Sequence, residues 1–272
     1  MIKLGHITYS NCFPPHAGII TGATAFPYQL VEGIPTQLNR LLSEGGIDVS
    51  PSSSIEYARH RDRYVLFPDL SITSKTEVRS IILQSRVPIG DLNARSVTIT
   101  TASATSVILL RILLEIRFGV RPVYSAFEQG TDDPFGTVDA MLFIGDHALR
   151  TRPRGDYRYL YDLGRLWYEF TGLPFVFALW QINYKKDIDK DLGVLYHILK
   201  DSKDYGLSHI KDLAGRYAGH YRLSEQLLAD YWYAFSYHFG EEEQQGLMAF
   251  YRYAAELGVI KPISGLSFWG IT

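Results

Sequence analysis

The sequence predicts an α/β fold of two lobes with a ligand cleft between them. Segments of β-type sequence alternate with segments of helical period as far as Trp180, an order typical of sheets covered by helices. Two stretches, Ile47–Ser54 and Val138–Leu149, share a sequence pattern. In each, an apolar strand that contains Asp is followed by small polar residues at the start of a helix. Such strand ends and helix starts meet at one edge of a sheet, where ligands bind.

The first half of the chain begins with an alternating apolar and polar stretch, Ile2–Tyr9, which predicts a strand. The Asn11–Pro15 segment is rich in turn residues and is expected to be a loop. A helix is expected to open at Pro35 and to close at Gly45. The other predicted strands of this half are Tyr28–Glu32, Ile47–Ser50, Val65–Ile72 and Val78–Gln84.

The second half predicts a nearly all-apolar helix, Val107–Phe118, and a chain that becomes helical from about Asp187. Crossovers between the lobes are expected at Ser80–Ser85 and at the apolar run Leu173–Trp180. Lobe I is therefore expected at residues 1–84 plus 178–272, with lobe II inserted at residues 85–177. Strands are predicted at Val97–Thr100, Val120–Phe127, Asp139–Ile144 and Phe235–Phe239, and helices at Asp189–Lys200, Ser208–Tyr217, Ser224–Trp232 and Glu241–Leu257.

Composition excludes several classes of protein. Hydrophobic residues make up 46% and charged residues 21% of the 272, as in soluble globular domains. The 27 Lys and Arg nearly balance the 29 Asp and Glu, so neither a nucleic acid nor a membrane is expected as partner. Cys12 is the only cysteine, which excludes an intrachain disulfide. The amino terminus lacks the pattern of a signal peptide, so we expect a cytoplasmic protein.

The common catalytic motifs are missing from the sequence, and its eight histidines are scattered, so no metal site is expected. The strongest feature is Thr100–Ser106, which has five hydroxyl residues between a strand and a helix. Hydroxyls and free N–H groups at a helix start favour a carboxylate or phosphate, whereas simple capping needs only one hydroxyl. Since Ser52–Ser54 has the equivalent place in the first lobe, the pattern favours a small dicarboxylate.

Longer motifs extend through most of the chain. They are Gly5–Pro14 (GHITYSNCFP), Gly45–Pro51 (GGIDVSP), Val78–Pro88, Ser103–Ser106 (SATS), Ile144–Leu149 (IGDHAL) and Asp162–Trp180. With these motifs the sequence resembles the chorismate dehydratases of the futalosine route to menaquinone, a family with the type II periplasmic-binding-protein fold. The long Asp162–Trp180 motif is the most specific of them.

The resemblance implies that chorismate loses water to give 3-[(1-carboxyvinyl)oxy]benzoate and that no cofactor takes part. Asn11 and Ser80 match the family's active-site positions, which implies catalytic roles for both. The positions implied to bind the substrate are Ser53, Ser103, Thr105, Ser106 and Asp146.

The matched residues include no evident general base, because Asn does not take up a proton at neutral pH and Ser needs activation. The hypothesis is that the substrate's own enolpyruvyl carboxylate accepts the proton, while Asn11 and Ser80 orient the reacting centre. Three alternatives remain. A non-catalytic solute-binding protein is disfavoured by the missing leader, and the effector domain of a regulator by the lack of a helix-turn-helix segment before the first strand. The sister 1,4-dihydroxy-6-naphthoate synthase is disfavoured by the Tyr9–Pro14 and Asp162–Trp180 motifs. The sequence leaves open whether the chain is a monomer or a homodimer.

Overall fold

The structure is a computed structural model that describes residues 1–151, 153–184 and 188–270. Asp187, near which the sequence predicts the helical segment to begin, lies outside these residues. The described strands are β1 (Lys3–Ile7), β2 (Gln29–Gly33), β3 (Val49–Ser53), β4 (Tyr64–Ser74), β5 (Ile81–Ser85), β6 (Ser96–Thr100), β7 (Val123–Phe127), β8 (Ala140–Ile144), β9 (Tyr159–Asp162) and β10 (Phe175–Asn183).

Up to β10 the helices are interspersed among these strands, although β5 follows β4 directly and β8 follows β7 directly; after β10 the helices follow one another. Within the described ranges, no helix combines the length and the apolar character that crossing a membrane requires. The α-helices are α1 (Phe13–Thr21), α2 (Pro35–Glu44), α3 (Ser54–Arg59), α4 (Ala104–Arg111), α5 (Gly145–Arg150), α6 (Leu163–Thr171), α7 (Asp189–Ser208), α8 (Ile210–Tyr221), α9 (Glu225–Tyr233) and α10 (Glu241–Glu256).

Contacts between residues divide the chain into two compact units. The first unit comprises Met1–Thr73, Val176–Glu241 and the segment from Ser264 onward. The second comprises Ser74–Phe175 and Glu242–Ile263. The predicted boundaries lie after residues 84 and 177. Residues 74–84 belong to the second unit, because β5 pairs with β8 and β9. Residues 242–263 also belong to it, since Phe250 packs against Trp167 and Phe175, while residues 176–177 belong to the first unit.

The first unit contains a five-stranded mixed sheet with the strand order β2-β1-β3-β10-β4. Strand β1 pairs in parallel with β2 and β3, and β10 runs antiparallel to β3. Strand β10 is buried along nearly its whole length, which explains its continuous apolar sequence. The apolar run Leu173–Trp180, where a crossover is expected, forms this strand from Phe175 onward, and the strand continues to Asn183.

The second unit contains a five-stranded sheet with the order β7-β6-β8-β5-β9. Strand β6 is parallel to both β7 and β8, whereas β5 is antiparallel to both β8 and β9. The apolar helix that the sequence predicts over Val107–Phe118 is α4, and it continues as a π-helical segment, Ile112–Arg117. Strand β5 begins at Ile81 instead of Val78, which places Ser80 immediately before the strand.

Helix α1 corrects the sequence analysis, because the loop predicted at Asn11–Pro15 is wrong. Pro14 and Pro15 lie in the first turn of this helix. The N–H groups of a first turn have no partner within the helix, so proline loses nothing there and its fixed φ favours the helical conformation. The strand predicted at Phe235–Phe239 is also wrong, since that segment forms only an isolated bridge from Ser236 to Thr73.

Helices α1 and α7 pack closely through two glycines. A Cβ atom on Gly206 of α7 would collide with the main-chain oxygen of Pro14, and one on Gly18 would lie 2.8 Å from the Cα atom of Ser202. The Ser202 hydroxyl accepts a hydrogen bond of 3.2 Å from the N–H of Ile19. These contacts fix the position of α1 and therefore of the residues that precede it.

Candidate functional site

Asn11 lies in a 3₁₀ turn, Ser10–Cys12, between β1 and α1. Two buried side chains, which lie more than 200 positions later in the chain, bind this turn. The indole of Trp232 donates a hydrogen bond of 2.7 Å to the Ser10 main-chain oxygen, and the Tyr237 hydroxyl donates one of 3.0 Å to the Asn11 main-chain oxygen. The backbone of Asn11 is therefore fixed independently of its side chain.

The Asn11 side-chain oxygen is buried and accepts no hydrogen bond from the part of the chain that the structure describes. A buried acceptor without a donor costs about 1–3 kcal/mol, so native proteins rarely keep one. The Asn11 amide is held in place with an acceptor available for a donor group of a ligand, such as a hydroxyl.

Ser53 lies at the carboxyl end of β3, at the start of α3, and its hydroxyl does not cap that helix. The buried Gln181 amide donates hydrogen bonds of 3.2 and 3.0 Å to the main-chain oxygens of Ser52 and Ser53. Because β1 and β3 are parallel neighbours, Asn11 and Ser53 follow the same edge of the first unit's sheet. The structure thus brings these two predicted residues to one edge.

Ser80 is buried, and its main-chain oxygen accepts a hydrogen bond of 2.7 Å from the N–H of Gly145. Pairing between β5 and β8 begins at the next position, where Ile81 lies opposite Ile144. This contact places Ser80 beside the start of α5, which includes Asp146. The structure therefore brings Ser80 and Asp146 to the same end of the second unit's sheet.

The hydroxyl-rich loop follows β6 at this same end, because β6 and β8 are parallel. Ser103 is the N-cap of α4: its hydroxyl accepts a hydrogen bond of 3.3 Å from the Ser106 N–H and lies 3.1 Å from the Ser106 hydroxyl. Thr100 accepts a hydrogen bond of 3.1 Å from the Ala102 N–H, and Thr105 is buried. Part of this loop therefore caps the helix, as the simpler interpretation predicts, and the loop lies next to Ser80 and Asp146 at the sheet edge.

Buried hydrogen bonds link His6 of β1, His16 of α1 and Trp180 of β10. The Nδ1 atoms of His6 and His16 lie 2.9 Å apart, and the Trp180 indole donates to His16 Nε2 at 3.2 Å. Since indole only donates, neutral His16 carries its proton on Nδ1 and donates it to His6. Burial lowers the pKa of His6 to about 4, and burial together with His6 lowers the pKa of His16 well below its usual value.

Five residues with clear structural roles at these sheet edges were outside the predicted site. Trp232, Tyr237 and His16 contact partners far away in sequence, which no local pattern reveals. The other two gave a weak signal in the sequence: Gln181 is a polar residue directly after an apolar run, and Asp162 is a common N-cap residue type before a helix. The five residues are Asp162, His16, Gln181, Trp232 and Tyr237.

Comparisons with known proteins agree with this architecture. Residues 2–256 match the family described as menaquinone biosynthesis. A chorismate dehydratase of Thermus thermophilus is 33% identical over 264 residues, covering 91% of this chain and 93% of that protein. The 1,4-dihydroxy-6-naphtoate synthase of the same organism is 27% identical, covering 86% of this chain and 85% of that protein.

A solved structure gives the fold. The periplasmic aliphatic sulphonate binding protein SsuA of Escherichia coli superimposes with a TM-score of 0.65 at 15% identity, covering 96% of this chain and 93% of that one. The predicted periplasmic-binding-protein-like α/β fold is thereby confirmed. At this level of identity the likeness extends to the fold and not to the ligand.

Proposed function

The chain belongs to the menaquinone biosynthesis family, and we propose that it is a chorismate dehydratase. The observation that carries this proposal is the 33% identity to the Thermus thermophilus chorismate dehydratase along 91% of the chain. The naphtoate synthase is less similar, at 27% identity. We extend the proposal to the futalosine route and to the cytoplasm as the place of the reaction.

The proposed reaction needs no electron acceptor. Chorismate loses the ring hydrogen at C3 as a proton and the hydroxyl at C4, so one water leaves and the product is 3-[(1-carboxyvinyl)oxy]benzoate. The ring becomes aromatic in this step, which supplies a large driving force without any change of net oxidation state. We therefore propose that the enzyme works by binding and orientation and requires no cofactor.

Within the first unit, Asn11 is proposed to contact the reacting ring. Its buried amide oxygen has no donor among the described residues, and the C4 hydroxyl of chorismate is a donor of the right kind. Trp232 and Tyr237 hold the turn, so the amide needs little reorganisation when the substrate binds. Ser53, at the same sheet edge, is proposed to bind a polar group of the substrate.

Within the second unit, the hydroxyl-rich loop is proposed to bind a carboxylate of chorismate. Ser103, Thr105 and Ser106 lie at the start of α4, where the helix dipole favours a negative charge. Ser80 and Asp146 flank this loop, and Ser80 is proposed to orient the substrate for proton loss. Asp146 is proposed to bind a hydroxyl, since an ionised carboxylate only accepts hydrogen bonds.

The proton acceptor is proposed to be the enolpyruvyl carboxylate of the substrate. An Asn amide and an unactivated Ser hydroxyl are too weakly basic for this role. In this mechanism a carboxylate of the substrate is held over the C3 hydrogen. A pH–rate profile with an ionisation of the enzyme near neutrality would contradict the substrate-base mechanism, since the substrate carboxylate titrates several units lower.

The test is to incubate the purified protein with chorismate in a buffer that contains a chelator and to follow the products by mass spectrometry. A product lighter by one water, formed much faster than in buffer alone, is the expected result. Asn11→Ala and Ser80→Ala are each expected to lower kcat/KM by roughly 10²-fold. Ser208→Ala, on an exposed helix end, is the matched control.

Two results would contradict the proposal. Binding of chorismate without turnover would indicate a solute-binding protein. Turnover of the cyclised futalosine product instead of chorismate would indicate the sister synthase. Full activity of both the Asn11 and the Ser80 variants, with chorismate still dehydrated, would overturn only the assignment of these two residues.

A further inference from the structure

We propose that Asp162 is a positioning residue for Ser80. The inference rests on the proposed function, in which Ser80 orients the substrate. Asp162 is proposed to act through the turn that precedes Ser80, because its carboxylate accepts hydrogen bonds from the N–H groups of Val78 and Arg79. The motif Asp162–Trp180 marks this aspartate in the sequence, but the mechanism proposed above does not use it.

The Asp162 carboxylate connects two elements of the second unit. Asp162 is the N-cap of α6, where one oxygen accepts a hydrogen bond of 3.1 Å from the Arg165 N–H. The same carboxylate accepts hydrogen bonds from the N–H groups of Val78, at 3.1 Å to each oxygen, and of Arg79, at 2.5 Å. A capping residue needs only the first of these bonds, so the other contacts serve the Val78–Arg79 turn.

The turn that Asp162 holds contains a strained residue. Arg79 has a φ of 60°, the left-handed region that residues other than glycine rarely adopt. Strain of this kind corresponds to roughly a tenfold penalty in a conformational equilibrium, so the surrounding structure must stabilise it. A carboxylate that accepts hydrogen bonds from consecutive N–H groups provides that stabilisation.

Close packing of α6 on the same segment supports this relationship. A Cβ atom on Gly164 would lie 2.6 Å from the main-chain oxygen of Thr76 and 3.2 Å from the Val78 side chain. The first turn of α6 therefore lies directly against the chain that leads to Ser80. Movement of Val78 or Arg79 would be transmitted to Ser80, the next residue.

Ser80 is fixed on its other side by the sheet. Its main-chain oxygen accepts the 2.7 Å hydrogen bond from Gly145, and β5 begins at Ile81. Ser80 therefore lies between a regular strand and a strained turn. The sheet fixes the carbonyl side of Ser80, and the turn bound by Asp162 fixes the backbone on its N–H side.

The test is a double-mutant cycle that combines Asp162→Asn with Arg79→Gly. Glycine adopts a φ of 60° without strain, so its dependence on the carboxylate is smaller. We expect Asp162→Asn to lower kcat by roughly tenfold, with a smaller change in KM, and to lower it by less than about threefold when Arg79→Gly is also present. Asn keeps the N-cap of α6, so loss of the cap does not account for the difference.

Asp139→Asn is the matched control. The Asp139 carboxylate also accepts a backbone hydrogen bond, of 2.9 Å from Ser96, but it precedes the opposite end of the β5–β8 pair, where Ala140 lies opposite Ser85. This variant is expected to keep the kcat of the original protein. If Asp162→Asn does not fold, Asp162→Ser replaces it in the cycle, because serine caps a helix but is too short to reach the turn.

The outcomes separate this proposal from the proposed function. Equal losses of kcat with and without Arg79→Gly would overturn the positioning role, even where Ser80→Ala is inactive. Full activity of Ser80→Ala would instead remove the assignment of Ser80 on which the inference rests. The result expected here is a loss of kcat in Asp162→Asn that Arg79→Gly relieves, together with the roughly 10²-fold loss of kcat/KM in Ser80→Ala.

Discussion

The Tyr237 hydroxyl donates a 3.0 Å hydrogen bond to the main-chain oxygen of Asn11, which lies 226 positions earlier in the chain. Burial raises the pKa of Tyr237 well above its usual value, so this hydroxyl remains protonated and can donate at any physiological pH. The turn that presents the Asn11 amide is therefore held by a partner whose state does not change with conditions.

Tyr237→Phe removes that donor and leaves the Asn11 carbonyl without its partner. We expect the free energy of unfolding to fall by about 1–2 kcal/mol and kcat/KM to fall severalfold, because the amide is less well oriented. Denaturant unfolding and steady-state kinetics measure the two effects. Tyr233→Phe, at a position 56% exposed, is the control and is expected to change neither quantity. Unchanged kinetics in Tyr237→Phe would contradict this role.

Gly206→Ala tests the contact between α1 and α7. Alanine favours a helix over glycine by about 1 kcal/mol, but its Cβ atom would collide with the Pro14 main-chain oxygen, and such overpacking costs about 1–3 kcal/mol. The collision is expected to win, because a helix backbone cannot yield as a flexible side chain can. We expect a lower midpoint of thermal unfolding and reduced activity.

Gly219→Ala is the matched control for this substitution. Gly219 also lies within a helix, α8. Apart from its chain neighbours and the backbone of its own helix, no atom of the described residues would lie within 4 Å of an added Cβ. This variant is expected to gain about 0.5–1 kcal/mol of stability. If both glycine variants shifted the unfolding midpoint in the same direction, the packing argument would be refuted.

The stability of the protein is expected to decrease in acid because of His6 and His16. The unfolded chain protonates these rings near pH 6.5, whereas burial lowers the folded-state pKa of His6 to about 4 and that of His16 further. Between these values the unfolded state binds more protons, so stability falls as the pH falls from 6.5 towards 4. His6 alone accounts for a loss on the order of 2 kcal/mol between pH 7.5 and pH 5.

Urea unfolding at several pH values checks this expectation. His6→Gln is expected to flatten the decrease between pH 6.5 and pH 4, while His197→Gln, which changes an exposed residue on α7, is expected to leave it unaltered. An acid slope that persisted in full after His6→Gln would show that other groups cause it.

Cys12 provides a probe for opening of the first unit. It is the only cysteine of the chain, it is 2% exposed, and it lies in the turn with Asn11. We expect a thiol reagent to label the native protein very slowly and the denatured protein with one equivalent per chain. Labelling should become faster in Tyr237→Phe, since that variant weakens the turn. Rapid labelling of the original protein would contradict the burial of this thiol.

The sequence predicts much of the fold because local patterns report local structure. The order of elements read from the sequence agrees with the structure in most places. The hydroxyl-rich loop follows the end of β6, and the similar stretches Ile47–Ser54 and Val138–Leu149 contain the ends of β3 and β8. Helix α1 was missed because Pro14 and Pro15 are typical of turns as well as of first helical turns.

Long-range contacts are the part that the sequence could not predict. His16 meets Trp180 across 164 positions, and Asp162 meets Val78 across 84. Each of these residues is ordinary in its local context and gains its role only when the sheets bring the elements together. The sequence therefore names residues that the structure places at the ends of the sheets, whereas the groups that hold them in place depend on contacts that no local pattern reports.

The division of the chain at Thr73, Phe175, Glu241 and Ile263 affects how the protein is made. Each unit is assembled from separate segments, and each receives one of them after residue 241. When synthesis has reached residue 241, the second unit still lacks α10. The first unit still lacks the segment around Phe268, which forms a β-bridge with Leu66. Neither unit can therefore be completed before residues 242–268 have been made, and we expect a chain that stops at residue 241 to aggregate more readily than the full sequence.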